Sequence, residues 1–587
     1  MKFLVIFLAV VFSCDGEIVK TQYGPIEGAT AISALGSMYE SFTKIPYMKA
    51  PEGRLRFRDP VPPESWNETL DCTIEGPRFP QIDFTFQPTD GLFYGELDSM
   101  HINVYTNNLT PEQPYPVLVW IHGGGFRIGS GLSEVYGPDY LVEENVTLVT
   151  FNYRLHAFGF LSLDDPELEI PGKAIDHNTN QGMLGFMGNA GMKDQVMALK
   201  WVKENIKNFG GDPTNITIFG QSSGGGCAHY HILSDASKDL FQRSIIMSGS
   251  AFNNLYAAIP RRNWAWRLAV ALNYPGVNVD SDVLVFLQNA DPEDIFRAVG
   301  TLLTPEERDV ERLLNAFGPT IEPYATPNAF MLDHPERLAP NSWGKDIDIM
   351  IGSTSFENGQ LVSLFRLVPG VLEASSNFSN WLPFSQNFTT EERIEHGKTL
   401  KAMYYGMMEP TLSSPDGLVI LSNEFAFVHA VHRVVSERWR SGGTGKSYVY
   451  RFDAETDNNC FSTLHDVSII NPFHTLPIHM DDLCHLFKPS FAEIPQQDQA
   501  GWNMTMEMIK IFANFAATGD PGWNASTGED NQPPMFGYNI NVERPFVGKL
   551  PEAERMEVWD TLFSSAVRFE AFSFSIISLI LIVKTFF

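Results

Sequence analysis

Cysteine is scarce in this chain, with five among 587 residues, and Cys14 falls within the first sixteen. The other four, Cys72, Cys227, Cys460 and Cys484, have no metal-ligand spacing. No metal site is therefore expected, and a small scaffold held by many disulfides is excluded; no cofactor is expected either. The spacing leaves the pairing of these four open. Basic residues are also in deficit: 41 Lys and Arg against 70 Asp and Glu give 41 − 70 = −29. That balance argues against nucleic acid or an anionic membrane surface as partner. Internal repeats and low-complexity tracts are missing as well. Stability must then come from a core, and 44% hydrophobic residues in a chain this long can build one.

Both ends differ in composition from the middle. Residues 1–16, MKFLVIFLAVVFSCDG, place Lys2 before an apolar run from Phe3 to Phe12 and small residues at Ser13, Cys14 and Gly16. This reads as a secretory leader cut after Ser13 or Gly16. Eight N-x-S/T sequons support secretion. Asn67, Asn108, Asn145, Asn377, Asn387, Asn503 and Asn524 are glycosylation candidates; Asn215, at the mouth of a core strand, is expected to stay unmodified. At the other end come Ser564, Ser565 and Ala566, a mixed spacer to about Ser573, and an apolar run from Phe574 to Val583. A spanning helix needs ~20 apolar residues, which this run does not reach. Small residues, spacer and short terminal hydrophobic tail form the arrangement of a glycolipid-anchor signal. The apolar character of the spacer and Lys584 keep a short membrane insert and an amphipathic soluble end as alternatives. The expected organisation is a leader at 1–16, one folded domain at 17–563 and a hydrophobic tail at 564–587, placed outside the cell, secreted or anchored.

Within the domain, apolar runs of strand length alternate with helical stretches. His101–Tyr105, Pro116–Ile121, Val146–Tyr153, Ile216–Gly220, Ser244–Met247, Ile347–Gly352 and Ser447–Phe452 qualify as strands, several apolar throughout, as strands covered on both faces must be. From Lys193 to Phe209, apolar residues at Val196, Leu199, Val202, Ile206 and Phe209 keep a helical spacing. Such alternation predicts an α/β fold with a mostly parallel sheet between helices. Arg261–Pro340, mainly helical, and Val368–Glu391, loop-rich, read as cap insertions.

The chemistry gathers at Ile216–Gly226, which reads I-T-I-F-G-Q-S-S-G-G-G. Strand, tight turn and helix meet at Ser222, and the positions two before and two after it, Gly220 and Gly224, must be almost side-chain-free for strand and helix to close. Ser222 is the candidate nucleophile. Ser223, at the helix start, can aim its N–H at the oxygen of a carbonyl under attack. His122-Gly123-Gly124-Gly125-Phe126 follows a core strand, and its glycines allow the N–H groups of Gly124 and Gly125 to complete an oxyanion hole with Ser223. An acid and a histidine should follow along the chain on loops after strands. Glu357, in G-S-T-S-F-E-N-G, and His479, in T-L-P-I-H-M-D-D-L, fit. His479 would be the general base and Glu357 would orient it. His474 and His485 rival His479, and Asp346 and Asp348 rival Glu357 from the start of the strand rather than beyond its end.

These residues resemble the type B carboxylesterases, the family of cholinesterases and insect juvenile hormone esterases, and so does most of the chain. The resemblance runs through F-T-K-I-P-Y at Phe42–Tyr47, R-F at Arg56 and Phe57, W-I-H-G-G-G-F at Trp120–Phe126, and N-Y-R with G-F-L-S between Asn152 and Ser162. It continues in G-N-A-G-M-K-D-Q at Gly188–Gln195, G-G-D-P and F-G-Q-S-S-G-G between Gly210 and Gly225, and F-A-A-T-G-D-P at Phe515–Pro521. It implies an α/β-hydrolase fold with helical caps, an acyl-enzyme mechanism on a small-molecule ester, and the roles already given to Ser222, Glu357, His479, Gly124, Gly125 and Ser223. The chain departs from the family pattern at Gln221 and Ser223, at Asn358 after the acid, and at Leu476. Positions resembling the family's first disulfide are Phe79 and Ser99. The same loop lacks a tryptophan and offers Phe84, Phe86, Phe93 and Tyr94, so a choline ester is not the expected substrate. The family also contains adhesion and signalling ectodomains without activity, which is the alternative to a secreted or surface-anchored esterase of uncharged esters.

Overall fold

The apolar runs at the middle of the chain become the centre of an eleven-stranded sheet. This computed structural model describes residues 16–82, 92–163, 188–310, 313–382, 388–464, 476–526 and 535–564. Residues 1–15 of the expected leader, the tail beyond Ser564, Phe84, Phe86, Asn387 and His474 lie outside the described residues. In chain order the strands are β1 (Ala29–Ile32), β2 (Met38–Pro46), β3 (His101–Thr106), β4 (Tyr115–Ile121), β5 (Thr147–Phe151) and β6 (Gly211–Gln221). They continue as β7 (Arg243–Met247), β8 (Asp348–Thr354), β9 (Ser447–Phe452), β10 (Phe536–Ile540) and β11 (Phe546–Lys549). Across the sheet the order is β11-β10-β9-β8-β7-β6-β4-β5-β3-β2-β1. From β10 to β5 every pairing is parallel. The margins are antiparallel, at β10 with β11 and from β5 through β3 and β2 to β1.

All seven strands read from the sequence are present within a few residues of their expected ends. Along β4 the period of two sends Val117, Val119 and Ile121 into one hydrophobic cluster and Leu118 and Trp120 into the other, so the strand is buried on both faces. On the first face lies helix α1 (Ala190–Asn205), which tightens into a 3-10 turn at Ile206–Phe209. Helix α2 (Ser223–Leu233) leaves β6 directly and packs on the same cluster through Cys227, Ala228 and Ile232. The second face is covered by the long helix Ala500–Thr518.

The expected cap at 261–340 is helical, with α3 (Trp264–Ala271), α4 (Asp280–Asn289) and α5 (Pro292–Val299). The segment 368–391, expected as a loop-rich insertion, contains a helix at Pro369–Ser375 and a 3-10 turn at Phe378–Trp381 among its described residues. Pro369 at the first helical position starts that helix, where its missing N–H costs nothing. A continuous helical run from Asp416 to Arg440 is long and apolar enough to cross a membrane, but 89% of that window is buried inside the protein, so it is a core helix. It opens into a π turn at Glu424–Val428.

The N-Y-R and K-D-Q motifs prove to be structural. Arg154 and Asp194 are fully buried, and the guanidinium donates from Nε and Nη2 to both carboxylate oxygens at 2.8 and 2.6 Å. This pair fixes α1 to the chain leaving β5. Cys460 and Cys484 form a disulfide, while Cys72 and Cys227 are free and buried. Six of the glycosylation candidates, Asn67, Asn108, Asn145, Asn377, Asn503 and Asn524, are exposed. Asn215 accepts from Arg243 and donates to the Ala517 carbonyl.

Candidate active site

The β6–α2 turn holds Ser222 at φ +63° and ψ −129°, a region a non-glycine residue adopts only when the surroundings force it. Two backbone bonds do the forcing: Ser222 N–H donates to the Met247 carbonyl at 2.9 Å, and Gly226 N–H donates to the Ser222 carbonyl at 3.0 Å. The flanking glycines are steric necessities. A Cβ on Gly220 would stand 2.4 Å from the Gly224 oxygen, and one on Gly224 would stand 2.1 Å from the Ile121 oxygen.

Glu357 and His479 meet beyond the ends of β8 and β9. The Glu357 carboxylate lies 2.5 Å from His479 Nδ1, and the His479 N–H donates to the Glu357 carbonyl at 3.0 Å. Glu357 is wholly buried. Its other oxygen accepts the Thr354 N–H at 2.8 Å, and its own N–H donates to Asn423 Oδ1 at 3.0 Å. The carboxylate is thus held between His479 and Thr354, and the backbone of the residue by Asn423. Phe427, on the π turn, packs its ring 5.1 Å from the imidazole. The rivals lie elsewhere. Asp346 and Asp348 accept from Thr444 and Lys446 near the start of β8, and His485 bonds Thr505 and Asn459 in the core.

The Ser222 hydroxyl is hydrogen-bonded to the Tyr256 phenol at 2.7 Å, and no hydrogen bond joins it to His479 among the described residues. The side-chain nitrogen of Gln221 lies 3.3 Å from Nδ1 and 3.1 Å from Nε2 of His479, straddling the ring rather than meeting one nitrogen along its lone pair. Neither Tyr256 nor this contact was anticipated from the sequence. Tyr256 is 34 residues from Ser222, in a loop with no motif to mark it. Burial raises the Tyr256 phenol well above its usual range, partly offset by the bond to Ser222, so it remains a neutral donor.

The N–H groups of Gly124, Gly125 and Ser223 donate to no acceptor among the described residues. Gly124 and Gly125 have φ of +104° and +64°. At Gly124 a side chain is excluded outright, with the Ile128 oxygen 2.1 Å from a Cβ; at Gly125 the nearest atom is Leu314 Cδ2 at 3.8 Å, so there the backbone angle alone favours glycine. Behind the loop, burial pushes His122 down to about 4, and its ring stacks on Tyr153 at 4.3 Å. Asp482, next to the site, is pushed well above the carboxylate range first by burial and then by the Glu357 charge.

A parallel-centred sheet with a serine at a strand–helix elbow, and a carboxylate–imidazole pair beyond the next strands, defines an α/β-hydrolase. The chain belongs to the carboxylesterase family, whose model matches residues 15–542. It is 36% identical to Esterase B1 of Culex pipiens over 94% of this chain and 99% of that one. With a juvenile hormone esterase of Heliothis virescens the identity is 32%, over 85% and 84% of the two chains. Among solved structures, the juvenile hormone esterase of Manduca sexta, crystallised with OTFP covalently attached, superimposes with a TM-score of 0.76 at 26% identity, covering 93% of this chain and 99% of that one. The protein is a carboxylic ester hydrolase, acting on small-molecule esters.

Proposed function

We propose that the protein is an extracellular serine carboxylesterase that hydrolyses uncharged carboxylic esters through an acyl-enzyme on Ser222. The observation that carries this reading is the Glu357–His479 pair, 2.5 Å apart, placed beside a strained serine and three unpaired N–H groups. Ser222 Oγ turns from Tyr256 to His479 Nε2 and attacks the ester carbonyl while the imidazole takes its proton. Glu357 holds the ring and stabilises the imidazolium. The oxyanion is met by the N–H groups of Gly124, Gly125 and Ser223. His479 returns the proton to the leaving alcohol, and water repeats the sequence to release the acid.

The expected secretory leader, the sequons and the Cys460–Cys484 disulfide support an extracellular location, as does 33% identity to a venom carboxylesterase of Apis mellifera over 86% of this chain. Attachment through the tail after Ala566 belongs to the same proposal; release of activity from cells by phosphatidylinositol-specific phospholipase C tests it. The catalytic reading is tested with a fluorophosphonate probe and peptide mass spectrometry. Label on Ser222 and its loss, with ester turnover, in Ser222→Ala are expected; turnover retained by that variant overturns the assignment.

A further inference from the structure

His479 stands in a turn that its own sequence does not favour. The turn runs Ile478-His479-Met480-Asp481 and is closed by the Asp481 N–H, which donates to the Ile478 carbonyl at 3.1 Å. Met480, in the third position, has φ +79° and ψ −7°, the angles for which a type II turn uses glycine. A methionine stays in that conformation only where its surroundings hold it there. On one side the loop is fixed to the acid: the Phe356 N–H donates to the Pro477 carbonyl at 3.2 Å, and the His479 N–H donates to the Glu357 carbonyl at 3.0 Å.

On the other side the holder is the side chain of Asp481. It is wholly buried, and both of its oxygens are used. Oδ2 accepts the Ile478 N–H at 2.8 Å, and Oδ1 accepts the N–H groups of Phe461 and Ser462 at 2.9 Å each. The carboxylate thus bridges the residue just before His479 to the short helix Cys460–Leu464. Burying a carboxylate costs free energy that hydrogen bonds must offset. Desolvation raises this one to about 7 against the pull of those N–H groups. The Cys460–Cys484 disulfide ties the same helix to the same stretch of chain, but it enters beyond Asp481 rather than at the turn. An isosteric amide could not replace the carboxylate. With its oxygen toward the helix it would aim an NH2 group at the Ile478 N–H, and turned round it would aim that group at Phe461 and Ser462. The bridge fails in either orientation.

We propose that Asp481 is a positioning residue of the esterase: its carboxylate, and not the disulfide, holds the turn that presents His479 to Glu357 and Ser222. The proposal rests on the reading of His479 as general base. Asp481→Asn is compared with the double variant Cys460→Ser, Cys484→Ser and with the unaltered enzyme above pH 8, where the Asp481 carboxyl is ionised. In Asp481→Asn, which keeps the disulfide, kcat should fall about tenfold to a hundredfold while KM stays within about twofold, the mark of a displaced catalytic group. The far-downfield proton resonance of the bond between His479 Nδ1 and Glu357 should weaken with it. The double serine variant should lose stability but keep both kcat and that resonance. Circular dichroism establishes that each variant is folded. Should Asp481→Asn not fold, Ser462→Pro takes its place: it deletes one of the three donors in the first turn of the helix, where proline is tolerated, and should lower kcat by a smaller factor. A normal kcat in the folded variant, a change confined to KM, or an equal loss of kcat on removing the disulfide overturns the proposal. His479→Ala separates the two readings. Turnover retained by that variant removes His479 as the base, whereas turnover lost there and normal in Asp481→Asn removes Asp481 alone.

Discussion

Tyr256 changes what the resting serine does. Its phenol holds the Ser222 hydroxyl at 2.7 Å, so in the proposed mechanism the serine must give up this bond before His479 can take its proton. A neutral hydrogen bond is worth about 0.5–1.5 kcal/mol net, which is roughly a twofold to tenfold rate. Tyr256→Phe is therefore expected to raise kcat for a simple ester by about that factor; a fall in kcat would mean that the phenol serves the transition state instead. Glu357 presents the opposite case, because its carboxylate meets Nδ1 directly and is held by the Thr354 N–H, while its backbone N–H is anchored on Asn423. Glu357→Gln keeps the shape but reverses the tautomer preference, and kcat should fall by a factor on the order of 10⁴ by analogy with the triad aspartate. A near-normal rate in this variant would exclude Glu357. The contrast also marks what a sequence can reveal about a site. Ser222, Glu357 and His479 lie in local patterns at the ends of strands, whereas Tyr256 reaches the serine only because the loop after β7 folds back over the elbow.

Elements were legible where burial imposes a pattern. The central strands are apolar on both faces and could be read directly, but β1, β2, β10 and β11 were missed. β11 has the burial pattern of an edge strand, with Phe546 and Val547 exposed, and β2 carries a register shift between Phe42 and Ile45 that breaks its alternation. The elbow was legible because its glycines are sterically required, and this makes a sharp test possible. Gly224→Ala places a methyl 2.1 Å from the Ile121 oxygen, so β4 and α2 must separate; loss of soluble folded protein is expected, and a folded, active variant would contradict the geometry. The disulfide is a second element-scale device. It closes a separation of 24 residues that includes His479, and by loop entropy contributes about 3 kcal/mol. Cys460→Ser with Cys484→Ser should lower the urea unfolding free energy by about that amount, while Cys227→Ser, at a free cysteine, should leave the disulfide intact.

At the scale of the molecule, charge supplies two opposing expectations for acid. The net charge of −29 implies self-repulsion that protonation relieves, so on that ground alone acidification would stabilise the fold. The buried histidines argue the reverse. Burial is the leading cause that lowers His101, His122 and His429 to about 4, and His156, His229, His231 and His485 to about 3. An unfolded histidine titrates near ~6.5. Between that value and the folded ones, the unfolded chain binds protons that the folded chain refuses, so stability falls as the pH falls. Asp560, lowered by its bonds to His429 and His432 against the desolvation that opposes them, acts in the same direction at lower pH. Asp59, Glu424, Asp481 and Asp482 oppose, since burial raises them, Asp481 to about 7; the folded state gains protons there as the pH falls. Among the described residues, seven histidines against four carboxyls leave an excess of proton binding in the unfolded state around pH 5, and each unmatched proton is worth about 1.4 kcal/mol per pH unit. The urea midpoint is therefore expected to drop steadily from pH 6.5 to 4.5, with net proton uptake on unfolding measurable by calorimetry in buffers of different ionisation enthalpy. A midpoint that stays level or rises over this interval would mean that relief of repulsion outweighs the histidines.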